Sequence, residues 1–131
     1  MRYLLTIYGD ESGWNEVTPE QSQQIMAAYG AFSEAAKEAG VMLGGEGLQP
    51  TSTATTVRVR DGEALTTDGP FAETREQLGG FYIVEAGSLD EAIAIAAEIP
   101  GAETGCVEVR PVMQFDSDGR PAEVAAGQAA S

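Results

Sequence analysis

Thr55-Thr56-Val57-Arg58-Val59-Arg60-Asp61-Gly62-Glu63-Ala64-Leu65-Thr66-Thr67 is the stretch on which the fold turns. Residues 55–60 alternate as a strand. Asp61-Gly62 is the favoured two-residue hairpin turn, and residues 63–67 return. A loop of that length pairs Arg60 with Glu63, Val59 with Ala64 and Arg58 with Leu65. Arg58 and Arg60 then share one face of the hairpin, and Val57 and Val59 the other. An antiparallel hairpin in mid-chain makes the elements on either side decide the architecture.

Directly after it comes Thr67-Asp68-Gly69-Pro70-Phe71-Ala72-Glu73-Thr74-Arg75-Glu76, a turn signal with an aromatic and a dense set of charges. Gly69 can take positive φ, and Pro70 has a fixed φ and no N–H for a ladder, so the strand breaks here. A rigid break beside clustered charge is a candidate site wall, because loops held by a scaffold carry function.

Before the hairpin, residues 2–8 read as a strand closed by Gly9, and residues 9–17 as a loop holding the only tryptophan, Trp14. Thr18-Pro19-Glu20-Gln21 is a helix start with threonine as N-cap, proline at the first position and glutamine to complete a capping box. Ile25, Tyr29, Phe32 and Ala36 form one apolar stripe, with Met26 and Ala39 alongside, on a helix stopped by Gly40. Gly44-Gly45-Glu46-Gly47-Leu48-Gln49-Pro50 fits no phosphate-loop spacing and reads as a flexible connector.

After the hairpin, Gly79-Gly80 leads into a strand at 81–85. Ser88-Leu89-Asp90-Glu91 is a second capping box, opening a helix with Ala92, Ile93, Ile95, Ala96 and Ile99 and ending at Pro100-Gly101. Residues 106–112 alternate as the last strand. From Asp116 the chain turns small and polar, so residues 1–115 form the expected domain and 116–131 a disordered tail.

The order predicts an α+β, ferredoxin-like sandwich: βαββαβ plus an extra β-hairpin arm, with both helices on one face of an antiparallel sheet. The other face has no cover, and apolar residues occur on both faces of the strands at 3–8 and 81–84. Burial against a second copy, as a C2 homodimer stacked sheet to sheet, is the expected solution.

Composition narrows function. A chain of 131 residues suits one domain. A net charge of −14 with only seven Lys and Arg argues against contact with a nucleic-acid backbone. The acidity serves solubility, or steers a basic protein partner. The chain has no histidine, which removes the commonest general base and every Ser-His or Cys-His nucleophile. Catalysis falls to Asp, Glu, Tyr, Lys or Arg, or to an oxygen-bound metal; no motif specifies a metal or cofactor. The single Cys106 allows no internal disulfide, fits a reducing cytoplasm, and sits in an apolar run that predicts a buried, inert thiol. The first residues do not read as a signal peptide, and no apolar run is long enough to span a bilayer.

The ordered set Tyr3-Leu4-Leu5-Thr6-Ile7-Tyr8, Gly47-Leu48-Gln49-Pro50, Thr56-Val57-Arg58-Val59, Thr67 to Glu76, Leu78-Gly79-Gly80-Phe81-Tyr82 and Glu108-Val109-Arg110-Pro111 resembles the YciI-like (YCII-related) family in its DGPF-domain branch. The resemblance covers about residues 1–115. It implies a dimeric α+β barrel of ferredoxin-like subunits. Branch members are largely uncharacterised, and many are encoded beside extracytoplasmic-function sigma factors. The wider family includes lyases credited with a His–Asp pair, which a histidine-free chain cannot use; Asp68 is the surviving acidic candidate.

Asp68 therefore has two readings: a general base at a strand end, raised in pKa by apolar neighbours such as Phe71, or a cap of the Gly69-Pro70 turn. Glu73 and Glu76, flanking Arg75, are either a carboxylate pair for a metal or a shared proton, or a solvated surface. Arg58 and Arg110 hold either an anionic ligand or a carboxylate of this chain, such as Asp68, Glu73 or Glu108. Tyr8, Trp14 and Tyr82 line a pocket, or serve the core or the dimer interface. Two functions follow: a small dimeric enzyme or ligand-binding protein for an anionic small molecule, or a non-catalytic module acting with a sigma factor.

Overall fold

Thr18 starts the first helix as its sequence predicts. Its Oγ1 accepts from the Gln21 N–H at 3.2 Å, while Gln21 Oε1 accepts from the Thr18 N–H at 2.9 Å. Both halves of the capping box are formed, and Pro19 occupies the first turn. In the computed structural model, which describes residues 1–121, this helix is α1 (Pro19–Glu38). It ends where Gly40 takes φ 74°. Gly40 N–H donates to Lys37 O at 3.0 Å and Val41 N–H to Ala36 O at 3.1 Å. That pair of bonds is a Schellman turn, and it sends the chain back toward the sheet.

The strands are β1 (Arg2–Gly9), β2 (Met42–Gly47), β3 (Thr55–Arg60), β4 (Glu63–Asp68), β5 (Gln77–Glu85) and β6 (Cys106–Pro111), with α2 (Leu89–Ala97) between the last two. Four of them form one antiparallel sheet in the order β2-β5-β1-β6. This is the ferredoxin-like order, two split βαβ units with both helices on one side. Among the described residues, β3 and β4 pair only with each other. Their register is the predicted one, Arg60 to Glu63, Val59 to Ala64 and Arg58 to Leu65. Asp61 and Gly62 carry φ 54° and 79°, as a two-residue type I′ turn requires.

The glycine-rich residues 44–50, expected to be a flexible connector, instead supply most of β2. The cause is close approach to β5. A β-carbon on Gly45 would stand 2.5 Å from Tyr82 Cδ1 and 2.7 Å from Phe81 O, so this strand comes near only because it carries no side chain. The pairing is irregular between Met42 and Gly44, where it slips past Leu43. Residues 9–17 are likewise more ordered than a loop: Glu11–Glu16 forms a short 3-10 helix.

Tyr3 and Leu5 of β1 and Val84 of β5 are fully buried against Phe32 and Ala36 of α1, Ala92 and Ala96 of α2, and Ile99. Alternation puts Leu4, Thr6 and Tyr8 on the opposite, outer face, with their partners Ile83, Phe81 and Leu78. On β6, Val107 and Val109 pack toward the core, and Cys106, Glu108 and Arg110 lie outward. Cys106 is therefore exposed rather than a buried thiol. It shares the parity of Glu108, not of the valines.

α2 starts at Ser88, whose Oγ accepts from the Glu91 N–H at 3.2 Å. The reciprocal bond shifts by one residue from the expected box: the Glu91 carboxylate accepts from the Gly87 N–H at 2.7 Å. Residues 116–121 do not continue as a featureless tail. Asp116 Oδ1 accepts from the N–H groups of Asp118 and Arg120 at 2.9 and 3.0 Å, and Phe115 bridges to Pro121. The remainder of the expected tail, 122–131, lies outside the described residues.

Candidate functional site

Three connecting segments meet where β1 ends and β5 begins, and Glu11 ties them together. Its N–H donates to Gln77 Oε1 at 2.9 Å. Its carboxylate accepts from the Thr51 N–H at 2.9 Å and from the Thr51 hydroxyl at 2.7 Å. Gln77 Nε2 in turn donates to Thr74 O at 2.5 Å, and Thr74 Oγ1 to Glu76 O at 2.6 Å. The segment after β4 is thus fixed to the segment after β1 and to the one before β3.

Beside Glu11, Asp10 accepts from the Ser12 hydroxyl at 2.6 Å and the Ser12 N–H at 2.9 Å. The Ser12 hydroxyl, then the Ser12 N–H, hold its carboxyl below the ordinary value of 3.8, and the Arg75 guanidinium adds a smaller pull against weak desolvation.

Asp68 is the last residue of β4 and pairs with Thr55. Period-2 alternation puts it on the same hairpin face as Val57, Val59 and Ala64. Backbone contacts fix its strand end: Gly69 N–H donates to Ala54 O at 2.7 Å, and Thr56 Oγ1 donates to Gly69 O at 2.8 Å. Those bonds close the turn, so Asp68 is not its cap. Its carboxylate is exposed and, among the described residues, accepts no hydrogen bond. Phe71 is 81% exposed and gives it no apolar enclosure.

The other candidates divide between the two layers. Trp14 is 58% exposed on the short helix beside Glu11. Glu73 and Glu76 are exposed on the tied segment. Tyr8 lies half-buried on the outer face, opposite Cys106. Arg110 is exposed opposite Leu4, well down the edge strand. Tyr82 faces the helices, its ring 5.0 Å from that of Phe32. Arg58 is exposed on the hairpin. Neither Arg58 nor Arg110 has a carboxylate within 4.0 Å among the described residues, so the intrachain partner expected for them is not there. Trp14, Glu73 and the base of the Asp68 hairpin are brought to one end of the sheet; Arg110 and Tyr82 are not.

Sequence reading did not single out Glu11, Thr51 or Gln77. Asp10 carried a usable local signal, since an aspartate two residues before an N–H donor favours an Asx turn. Glu11 and Thr51 are 40 residues apart, and nothing local marks that pair.

A separate open groove of about 620 Å³ runs between the helices on the other side of the molecule, lined by Ala28, Phe32, Ala35, Ile95 and Pro100 among others. Among the described residues no helix is long and apolar enough to cross a membrane.

With this geometry in view, the pattern of the YCII-related domain matches residues 1–116. The chain belongs to the YCII-related family. An uncharacterized protein of Rhizobium meliloti (strain 1021) is 39% identical over 117 residues, covering 88% of this chain and 94% of that one. Among solved structures, the chain is similar to the 5-chloro-2-hydroxyhydroquinone dehydrochlorinase (TftG) of Burkholderia phenoliruptrix AC1100, in complex with 2,5-dihydroxybenzoquinone. The TM-score is 0.50 over 91% of this chain and 99% of that one, at 16% identity. At that identity the likeness is one of fold: the YCII-related chain shares the α+β architecture of the dehydrochlorinase subunit.

Proposed function

We propose that this YCII-related protein works as a homodimer that binds an anionic small molecule at the loop-rimmed end of its sheet. It acts on the ligand by proton transfer, in the manner of a lyase. Asp68 is the acid/base, and Arg58 or Arg110 holds the anion across the dimer, since within one subunit Arg58 lies on the opposite hairpin face from Asp68 and Arg110 on the far edge strand. The observation that carries this reading is the Asp68 carboxylate, at a strand end fixed by backbone bonds yet accepting no hydrogen bond among the described residues. In a histidine-free protein a carboxylate is one of the groups left for that role, beside Tyr and Lys. The uncovered outer face, with Leu4, Phe81 and Ile83 half-buried, supports pairing with a second copy. The dehydrochlorinase of shared fold removes hydrogen chloride, as its name says, and such an elimination needs a base; we extend that reaction class to this chain.

The test is Asp68→Asn. Probed with 2,5-dihydroxybenzoquinone and with simple aryl and alkyl carboxylates, the variant should lose ligand binding or turnover. Below the dimer dissociation constant its thermal stability should stay within about 0.5 kcal/mol of wild type, as for an exposed side chain to which no hydrogen bond is made among the described residues of its own chain. A loss of stability with ligand behaviour unchanged defeats the proposal.

The net charge of −14 favours a second reading, a non-catalytic module whose acidic surface meets a basic partner such as an extracytoplasmic-function sigma factor in the cytoplasm. Co-purification with such a factor that weakens with salt supports it; failure to co-purify at low salt counts against it.

A further inference from the structure

The β3–β4 hairpin is an unusual element for a domain of this size. Among the described residues it pairs with no other strand and makes no extended contact with any helix. Its Val57 and Val59 are 60% and 61% exposed. A lone two-stranded hairpin is marginal in water and is stabilised by packing one face on something else. The face to be covered is the one with Val57, Val59 and Ala64, and Asp68 stands at its base. Elsewhere on the chain is a surface with the complementary deficiency. Among the described residues, the outer face of the four-stranded sheet presents Leu4, Ile83 and Phe81 without a covering layer, and beside Leu4 stands Arg110 with no carboxylate within 4.0 Å. In a chain of net charge −14, an unpaired arginine on an apolar face marks a place where an acid is to be supplied from outside. Asp68 and Arg110 do not meet within one subunit. β5 and β1 lie between the β2 edge, from which the hairpin departs, and β6, which carries Arg110.

We infer that the hairpin is an exchanged arm. Its valine face docks on the outer sheet face of a second copy, and it brings Asp68 of one subunit to Arg110 of the partner subunit. Two-fold symmetry makes the exchange reciprocal and produces two equivalent sites. The acid and the anion-binding cation of the proposed site then come from different chains, so neither subunit holds a complete site alone. This rests on the homodimer of the preceding section and specifies what that dimer is for.

Sedimentation equilibrium and hydrogen exchange test it together. Val57→Asp with Val59→Asp should raise the dimer dissociation constant by at least about tenfold, and Asp68→Arg or Arg110→Asp alone should also weaken the dimer. Mixing an Asp68→Arg chain with an Arg110→Asp chain should make both contacts complementary again, one with its charges reversed and one as in wild type, and favour the heterodimer over either homodimer. In wild type, the amides of 55–60 and 63–68 should be protected above the dissociation constant and lose that protection on dilution. This readout needs no variant and so survives any failure of a variant to fold. A wild-type dimer whose hairpin amides exchange like a free chain, and whose affinity ignores the valine and charge changes, overturns the exchanged arm while leaving the homodimer intact. A wild-type chain that stays monomeric at all concentrations overturns both.

Discussion

Glu11 holds Thr51 with both oxygens of its carboxylate: one accepts from the backbone N–H at 2.9 Å, the other from the hydroxyl at 2.7 Å. This two-point grip joins the segment after β1 to the segment before the hairpin, and the Glu11 N–H bond to Gln77 extends it to the segment after β4. The end of the sheet where the proposed site lies is therefore one connected unit rather than three independent loops.

Glu11→Ala should lower stability by about 2 kcal/mol, because two hydrogen bonds to a half-buried charged acceptor are lost and the Thr51 N–H is left without its partner. Glu11→Gln should cost about half as much. Its carbonyl oxygen can still accept from the N–H, and its amide can donate to the Thr51 hydroxyl. Denaturant unfolding with hydrogen exchange at Thr51 measures both. An alanine variant as stable as wild type, with Thr51 still protected, would show that the grip is incidental.

The glycines of β2 make a paired prediction. At Gly45 an added methyl meets the Tyr82 ring and the Phe81 carbonyl, whereas at Gly44 nothing lies within 4 Å. Gly45→Ala should destabilise by about 1–3 kcal/mol, as overpacking does, and Gly44→Ala should be close to neutral. Because Tyr82 packs on Phe32, the Gly45 change should also disturb the aromatic contact. Loss of near-ultraviolet circular dichroism in Gly45→Ala alone is the expected signature. Equal stabilities for the two variants would mean that β2 does not lie this close to β5.

What could be read in advance follows from the range of the forces involved. The hairpin register was legible because Asp61-Gly62 admits one turn and one pairing. Both helices were legible from Thr18 and Ser88, whose caps act within a few residues. β2 was not legible, since a strand made largely of glycine has no side-chain period to display; its place is set by Tyr82, far along the chain. Cys106 was legible from parity with Glu108, but the apolar composition of its neighbours pointed the other way. Asp68 could be placed at a strand end. What surrounds it could not, because the bonds of Glu11 to Thr51 and Gln77 join segments distant in sequence.

Asp10 provides a pH-dependent prediction with a definite sign. Its carboxyl is held below 3.8 in the folded chain, chiefly by the Ser12 hydroxyl and then by the Ser12 N–H, with Arg75 contributing less. A depressed acid stabilises the fold above its unfolded value and loses that effect as pH falls through the folded one. The melting-temperature difference between wild type and Asp10→Ala should therefore be full near about pH 6 and should shrink in acid. Site-resolved carboxyl titration separates the causes. Ser12→Ala, which removes the 2.6 Å hydroxyl bond but keeps the N–H, should raise the Asp10 value more than Arg75→Ala does. If the arginine change proves the larger, Asp10 belongs to an ion pair that bridges the two segments rather than to a local turn, and the electrostatics of this end of the sheet must be redrawn around Arg75.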